Sequence, residues 1–317
     1  MSKRISTFVI FIFIGLSALS QQDIQFSHNM YNTMGINPGY AGMRGAICAT
    51  AFARQQWVGF RDDEDARVHP QTYSLNIDAP INILRGGVSL GLLQDELGYE
   101  NNIGLKLGYA YHVPLGLGDL GIGFHAGFLD KSIGFDKFEP IDQNDPALSG
   151  GSDESAMFID AAMGAFYKLD DWWAGFSLTQ MFQTSREIGG GNAEYELQRH
   201  AYLSGGYNFK IPDHPTFVVS PSLLIKTDIN ALQADLNTLV TYNDRVWGGL
   251  SYRYQDAVVI FLGLSLDQIS VGYSYDITTS PIGRHGRSYG SHELMVQYCF
   301  DLELDRILRP HRTTRHL

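Results

Sequence analysis

At 317 residues with a formal net charge of −11, the chain is long enough for one large domain or two ordinary ones and lacks the basic footprint of a nucleic-acid binder. Two cysteines exclude a disulfide-dense scaffold and allow at most one intramolecular bridge. Charged residues, at 18%, fall below the ~25% usual in soluble domains, while 34 glycines and 12% aromatics are generous, the balance of an exported β-barrel.

Lys3 and Arg4 precede an apolar run from Ile5 to Leu19, and Ala18 and Ser20 place small residues where a signal peptidase reads them. Residues 1–20 therefore read as a cleaved secretory signal with Gln21 as the mature N-terminus. The run is shorter than the ~20 apolar residues of a spanning helix, and no lipobox cysteine follows it. Residues 21–43 show no clear period and carry the turn signal Asn37-Pro38-Gly39. Phe26, Met30, Tyr31, Met34, Ile36 and Tyr40 make this stretch too apolar for a free tail, so a periplasmic or plug segment, packed inside or below a barrel, is expected.

From 44 to 300 the period is two. Ile103, Leu105, Leu107, Tyr109, Tyr111 and Val113 share one face, opposed by Asn102, Gly104, Lys106, Gly108, Ala110 and His112. The same alternation recurs over 268–277 and 293–300. About 14 strands are expected in all, an even number that suits a single-chain transmembrane antiparallel β-barrel. They fall at 44–58, 68–79, 85–95, 101–113, 119–133, 155–168, 172–182, 198–210, 215–227, 230–242, 246–254, 257–266, 268–278 and 289–300. Tight connections such as Asp170-Asp171 and Asn243-Asp244 alternate with longer ones, 60–67, 134–154, 183–197 and 279–288. Short periplasmic turns, long extracellular loops and periplasmic termini in the outer membrane would produce that asymmetry. Trp172 and Trp173 read as an interfacial anchor, and the small and polar faces read as a hydrated lumen. Lys106, Arg253, Asp276 and Glu293 are expected to pair across it. Residues 301–317 form a basic periplasmic tail; its Arg306 and Arg309, with Asn37, Pro38 and Tyr40, are candidate partner contacts.

No constellation in the sequence carries catalysis, a cofactor or a metal. Asp62-Asp63-Glu64-Asp65 lacks the spacing of a calcium loop and reads as a solvated run. Gly189-Gly190-Gly191-Asn192 lacks the strand–loop–helix setting of a phosphate cradle. Ser291, His292 and Glu293 are consecutive in a strand, so His292 points away from the other two and they cannot form a triad. Cys48 and Cys299 lie on the first and last strands with inward parity, which makes them neighbours across the closing seam. Directly opposed strand positions are often poorly placed for a bridge, so two small unbonded lumen residues are the first reading and a bond the second.

The ordered motifs resemble those of a known family. Gln25-Phe26-Ser27-His28-Asn29-Met30-Tyr31-Asn32 followed by Ile36-Asn37-Pro38-Gly39-Tyr40-Ala41-Gly42 is similar to the N-terminal signature of the PorP/SprF family. Arg54-Gln55-Gln56-Trp57-Val58-Gly59-Phe60, Arg199-His200-Ala201-Tyr202, Pro221 to Lys226, Val271 to Asp276 and Ser291-His292-Glu293 follow in order. The resemblance implies an outer-membrane barrel of the type IX secretion system of Bacteroidetes, a non-enzymatic component serving protein secretion and, in some members, gliding motility. It implies as partners secretion-system subunits, secreted proteins with a C-terminal sorting domain, and peptidoglycan-linked periplasmic lipoproteins. The basic tail beyond Phe300 departs from the family pattern. A transporter of the long-chain fatty-acid-channel type, with an apolar path or an open pore, is the alternative, and an outer-membrane hydrolase a second rival.

Overall fold

The structure, a computed structural model, describes residues 23–61, 68–135, 153–188, 193–228, 230–281, 283 and 288–301. The leader, the acidic run, Gly189–Asn192 and the tail with Arg306 and Arg309 lie outside them.

Alternating side chains suit a pleated strand, which sends successive residues to opposite faces. In chain order the strands are β1 (Ala46–Gln55), β2 (Gln71–Ile81), β3 (Gly86–Leu97), β4 (Glu100–Leu115), β5 (Gly118–Gly134), β6 (Asp153–Lys168), β7 (Trp172–Thr179), β8 (Ser185–Ile188) and β9 (Ala193–Glu196). They continue as β10 (His200–Tyr207), β11 (Phe209–Ile211), β12 (His214–Thr227), β13 (Leu232–Tyr242), β14 (Val246–Arg253), β15 (Ala257–Leu266), β16 (Ile269–Thr278) and β17 (Ser291–Asp301). β11 continues β10 beyond Asn208 against the same partner, β12, while β8 and β9 form a separate hairpin. The wall is thus a closed antiparallel ring of 14 staves. β1 and β17 close it in register from Ala46↔Asp301 to Gln55↔His292. Closure removes the sheet edges, the condition for a sheet to stand in hydrocarbon.

One rim carries only short turns, at 82–85, 116–117, 169–171, 212–213, 243–245 and 267–268. Asn243 and Asp244 both take positive φ, 51° and 53°, in a tight hairpin turn that short polar side chains tolerate. The opposite rim carries the long connections 56–70, 135–152, 180–199 and 279–290, but also three tight ones, at 98–99, 228–231 and 254–256. The length asymmetry holds at one rim and is partial at the other.

The outer surface is apolar. Leu107, Ile122, Ile159, Leu236, Leu250 and Leu262 stand 55–64% exposed across its middle. Tyrosines flank this band. Tyr109 and Tyr167 donate to the turn carbonyls of Leu84 (2.7 Å) and Leu115 (2.8 Å) at the short-turn rim, and Tyr275 donates to Tyr289 O (2.7 Å) at the other. An apolar belt with aromatic girdles is the exterior of a transmembrane barrel. Trp172 belongs to it, 41% exposed, but Trp173 does not. Trp173 points into the lumen and stacks on Phe166 with centroids 5.4 Å apart, because adjacent strand residues cannot share a face.

The interior differs from a hydrated lumen. Phe26, Phe52, Leu239, Trp247, Val259, Phe261 and Met295 form a buried apolar cluster inside it. A second cluster, Phe158, Ile188 and Leu197, packs the β8–β9 hairpin against β6. That hairpin lies within the stretch read from sequence as a plain loop.

Candidate functional site

Residues 23–45 run down the lumen from the long-loop rim to the short-turn rim. At the upper end, Tyr202 Oη donates to Asp23 Oδ2 (2.6 Å) and Lys226 Nζ to the Asp23 carbonyl (2.9 Å). Burial alone pushes the Asp23 carboxyl up, but Lys106, His200, Lys226 and the Tyr202 hydroxyl outweigh it and hold the group below its ordinary range.

Ser27 and His28 join a charge network that is almost wholly out of water. Arg54 Nη1 donates to Ser27 Oγ (2.6 Å) and Glu293 Oε2 (3.0 Å), and its Nη2 to Asp276 Oδ2 (2.8 Å). Arg253 Nη1 donates to the same Asp276 oxygen (3.2 Å), while its Nε lies 3.5 Å from Asp235 Oδ1. Glu293 also accepts from the backbone N–H of Ser27 (2.7 Å) and of His28 (2.8 Å). Gln25 and Asn29 donate to Asp235 Oδ2 at 2.8 and 3.2 Å. Two guanidiniums from β1 and β14 thus meet three carboxylates from β13, β16 and β17, and the luminal segment supplies the remaining donors. Buried carboxylates need that saturation, since desolvation costs several kcal/mol per ion. Arg253, Asp276 and Glu293 are paired, but along one side of the wall, with partners on adjacent or next-but-one strands, and not across the lumen as the sequence suggested, whereas Lys106 lines a cavity.

Below the network the segment is held by ring contacts. Phe26 meets Phe52 with centroids 4.9 Å apart, and Tyr31 meets Trp247 at 5.1 Å. The Trp247 indole lies over Gly263 and Gly272; a Cβ at Gly263 would come within 2.1 Å of it. Lower still, Asn37 Nδ2 donates to Ala165 O (3.0 Å) and Phe176 O (3.3 Å), and its Oδ1 accepts from Gly39 N–H (2.9 Å). Pro38 and Gly39 rest on a glycine floor. A Cβ at Gly123 would lie 2.3 Å from Pro38 O, and one at Gly121 2.1 Å from Gly39 O. Tyr40 packs edge-on to Phe166 (4.9 Å), with the Arg44 guanidinium 5.7 Å above its ring. Arg44 also pairs with Asp78. Asn37 and Pro38 are buried and Tyr40 half-buried, and the contacts they make here lie within the chain.

At the seam, Cys48 and Cys299 are opposed in register, 4.1 Å between Cα atoms, and joined by a disulfide. The unbonded reading of this pair gives way: wall closure sets the two side chains face to face. Ser291 Oγ accepts from Trp57 N–H (3.0 Å) and Glu293 points inward, while His292 bonds Tyr273 Oη (2.6 Å) on the outer face. Among the described residues no three His, Cys, Asp or Glu side chains gather as a metal site.

A cavity of about 250 Å³ opens beside Asp23, between the upper part of the luminal segment, the inner faces of β3 to β6 and the β8–β9 hairpin. Lys131 pairs with Glu100 at its margin and lies 3.9 Å from the centre of the Tyr195 ring, tying the hairpin to the wall. The Tyr195 phenol is pushed up to about 12, first by burial and then by Glu100, Asp23 and Asp95.

A closed barrel with an apolar belt and a luminal N-terminal segment is now in place. The description "Type IX secretion system membrane protein PorP/SprF" matches residues 18–298. The chain belongs to the PorP/SprF family. It is accordingly a type IX secretion system membrane protein whose barrel stands in the outer membrane. No curated protein matches it. Among solved structures it is similar to the Acinetobacter baumannii outer membrane protein Omp33, at 8% identity and a TM-score of 0.45 over 81% of this chain and 99% of that one. A Pseudomonas aeruginosa FadL homologue aligns at 10% identity and a TM-score of 0.45, over 81% and 89% of the two chains. The KdgM porin aligns at 10% identity and a TM-score of 0.37, over 80% and 99%.

Neither the Ser27–Glu293–Asp276 link nor the glycine floor was assigned from sequence. The floor had a signal: Gly121, Gly123 and Gly164 stand at lumen-facing positions of adjacent strands, where only a close backbone approach requires the side chain to be missing. The link had none, because Ser27 and Asp276 are 249 residues apart.

Proposed function

We propose that this barrel is a non-enzymatic docking component of the type IX secretion apparatus, a two-faced wall piece. The long-loop rim faces outward and anchors a secreted surface protein through its C-terminal sorting domain. The short-turn rim, with tail 301–317, faces the periplasm and contacts other secretion subunits and peptidoglycan-linked lipoproteins. The observation that carries this reading is the filled lumen. Arg54, Arg253 and Trp247 are each 2% exposed, and residues 23–45 occupy the axis, an arrangement that favours attachment over conduction. The short-turn rim adds support: Ile83 and Leu117, 94% and 93% exposed, put apolar tips on neighbouring turns where a partner would meet them. A fatty-acid-type channel would call for an open or apolar path, which the buried charge network does not favour.

Photo-reactive side chains at Phe182 and Tyr289 on the long-loop rim, and at Ile83 and Leu117 on the other, test the assignment in cells. Sorting-domain proteins should be captured from the first pair and periplasmic subunits from the second. Capture from the opposite pairs would reverse the orientation. A steady open conductance of the purified barrel in planar bilayers would replace docking with transport.

A further inference from the structure

The cavity between the luminal segment, β3 to β6 and the β8–β9 hairpin is lined on two adjacent strands by residues without side chains, Gly104 and Gly127. Its charges do not balance. Lys226 and Tyr202 serve Asp23, and Lys131 and Asn102 serve Glu100. That leaves Asp95 and Asp160 against Lys106. Asp95 accepts from Thr72 Oγ1 (2.6 Å). Asp160 Oδ1 has no hydrogen-bond partner among the described residues, although Asp160 is only 7% exposed and shares its inward face with Phe158 and Ala162, both buried. Asn102 Oδ1, in the same lining and equally buried, is likewise unanswered. Lys106, Gly127 and Asp160 stand in one row across β4, β5 and β6. Lysine and carboxylate therefore flank the bare glycine two strand spacings apart, about 10 Å between Cα atoms. A buried acceptor calls for a donor, and an unbalanced buried carboxylate calls for a cation.

The geometry disfavours an inorganic ion. Hard divalent cations gather six or more oxygens, whereas among the described residues no three acidic, histidine or cysteine side chains come together as a metal site. The space, about 250 Å³, is far larger than an ion, and part of its wall is apolar, from Ile24, Leu93, Leu129 and Leu197. We propose that the cavity binds a short aliphatic amine, protonated at neutral pH. Its ammonium donates to Asp160 Oδ1, its charge offsets the excess carboxylate, and its hydrocarbon body lies against the four apolar side chains. Leu97, exposed, and Glu100, half-buried, line the cavity on either side of the short β3–β4 turn, so the amine enters from the long-loop rim. Tyr195 and Leu197 are the hairpin's share of the wall, so an occupant ties the hairpin to the barrel.

The full protein, purified from outer membranes in a non-ionic detergent, is titrated calorimetrically with pentylamine near neutral pH, with empty micelles subtracted. Pentylamine should saturate a single site. Pentan-1-ol, of the same length without the charge, should bind at least ~10-fold more weakly. Asp160→Asn, shown to be folded by its heat-modifiable migration, should weaken pentylamine by at least ~10-fold and leave pentanol unchanged. Millimolar calcium should not displace the amine. No saturable binding, equal affinity for amine and alcohol, or an unchanged affinity in Asp160→Asn overturns the proposal. So does stoichiometric displacement by calcium, which would make the cavity an inorganic cation site. Should the variant fail to fold, the comparison of amine with alcohol on the native barrel decides alone. None of these results bears on docking, which the cross-links test separately.

Discussion

Arg54 has three partners from two strands and the luminal segment. Removing it leaves Glu293 and Asp276 buried and short of donors. Arg54→Met should cost about 3–5 kcal/mol, the penalty of an orphaned buried pair, read as a lower urea midpoint for loss of heat-modifiable migration. An unchanged midpoint would mean that the network carries no stability. Ser274 teaches the complementary lesson. Its parity was legible and does face the lumen, but the residue is fully buried, so Ser274→Lys should lower the folded yield rather than pass unnoticed as it would in a hydrated pore. Sequence gives the side on which a residue lies; it does not give how full that side is. Asp23 adds a pH dependence. Its folded carboxyl lies below the unfolded value of ~3.9, so its contribution is complete above about pH 4 and is lost as pH falls through the folded value. Protease release of the N-terminal segment should therefore rise on acidification below about pH 4, and Asp23→Asn should flatten that rise. Parallel curves for the two proteins would assign the acid response elsewhere.

At the scale of elements, the strands were read almost to their ends, because lipid on one side and packing on the other enforce a period of two. The β8–β9 hairpin was not. Its strands are four residues each, Ser185–Ile188 and Ala193–Glu196, and too polar to read as wall. What marks it is Ile188 and Leu197 reaching the second interior cluster, a contact visible only in space. The luminal segment was foreseen as apolar but without its address. Asn37-Pro38-Gly39 reads as a turn; that it is a turn pressed on glycines of three strands follows only from the register of β5, β6 and β7. Gly123→Ala tests that seat. The added Cβ meets Pro38 O, a backbone atom that cannot rotate away, so the segment should lift at a cost of about 1–3 kcal/mol. Conductance steps and new proteolytic cuts within 23–45 are the expected signs. Gly205→Ala, where the nearest atom is 3.4 Å away, should leave both unchanged. Equal effects at both glycines would mean that the floor has no special role.

As a whole molecule the barrel answers to lipid outside and to its seam inside. Leu262, 64% exposed near the middle of β15, should not accept a charge: Leu262→Lys is expected to cost ~2–4 kcal/mol and reduce the folded fraction recovered in lipid vesicles, with Leu262→Phe as the neutral comparison. Tolerance of the lysine would place that face away from hydrocarbon. The seam is fastened twice, by Arg54 opposite Glu293 towards the long-loop rim and by Cys48 bonded to Cys299 towards the other. The bond spans 251 positions of sequence, so the backbone between the two cysteines, together with their sulfurs, is a covalent circle. A circle cut once remains one piece. A protease that nicks loop 56–70 alone should yield a single species of unchanged mass, apart from one added water, under denaturing conditions without reductant, and two fragments once the bond is reduced. Cys299→Ser should give two fragments either way. The long-loop rim can thus lose the continuity of any one loop and still keep the first and last strands on the same molecule.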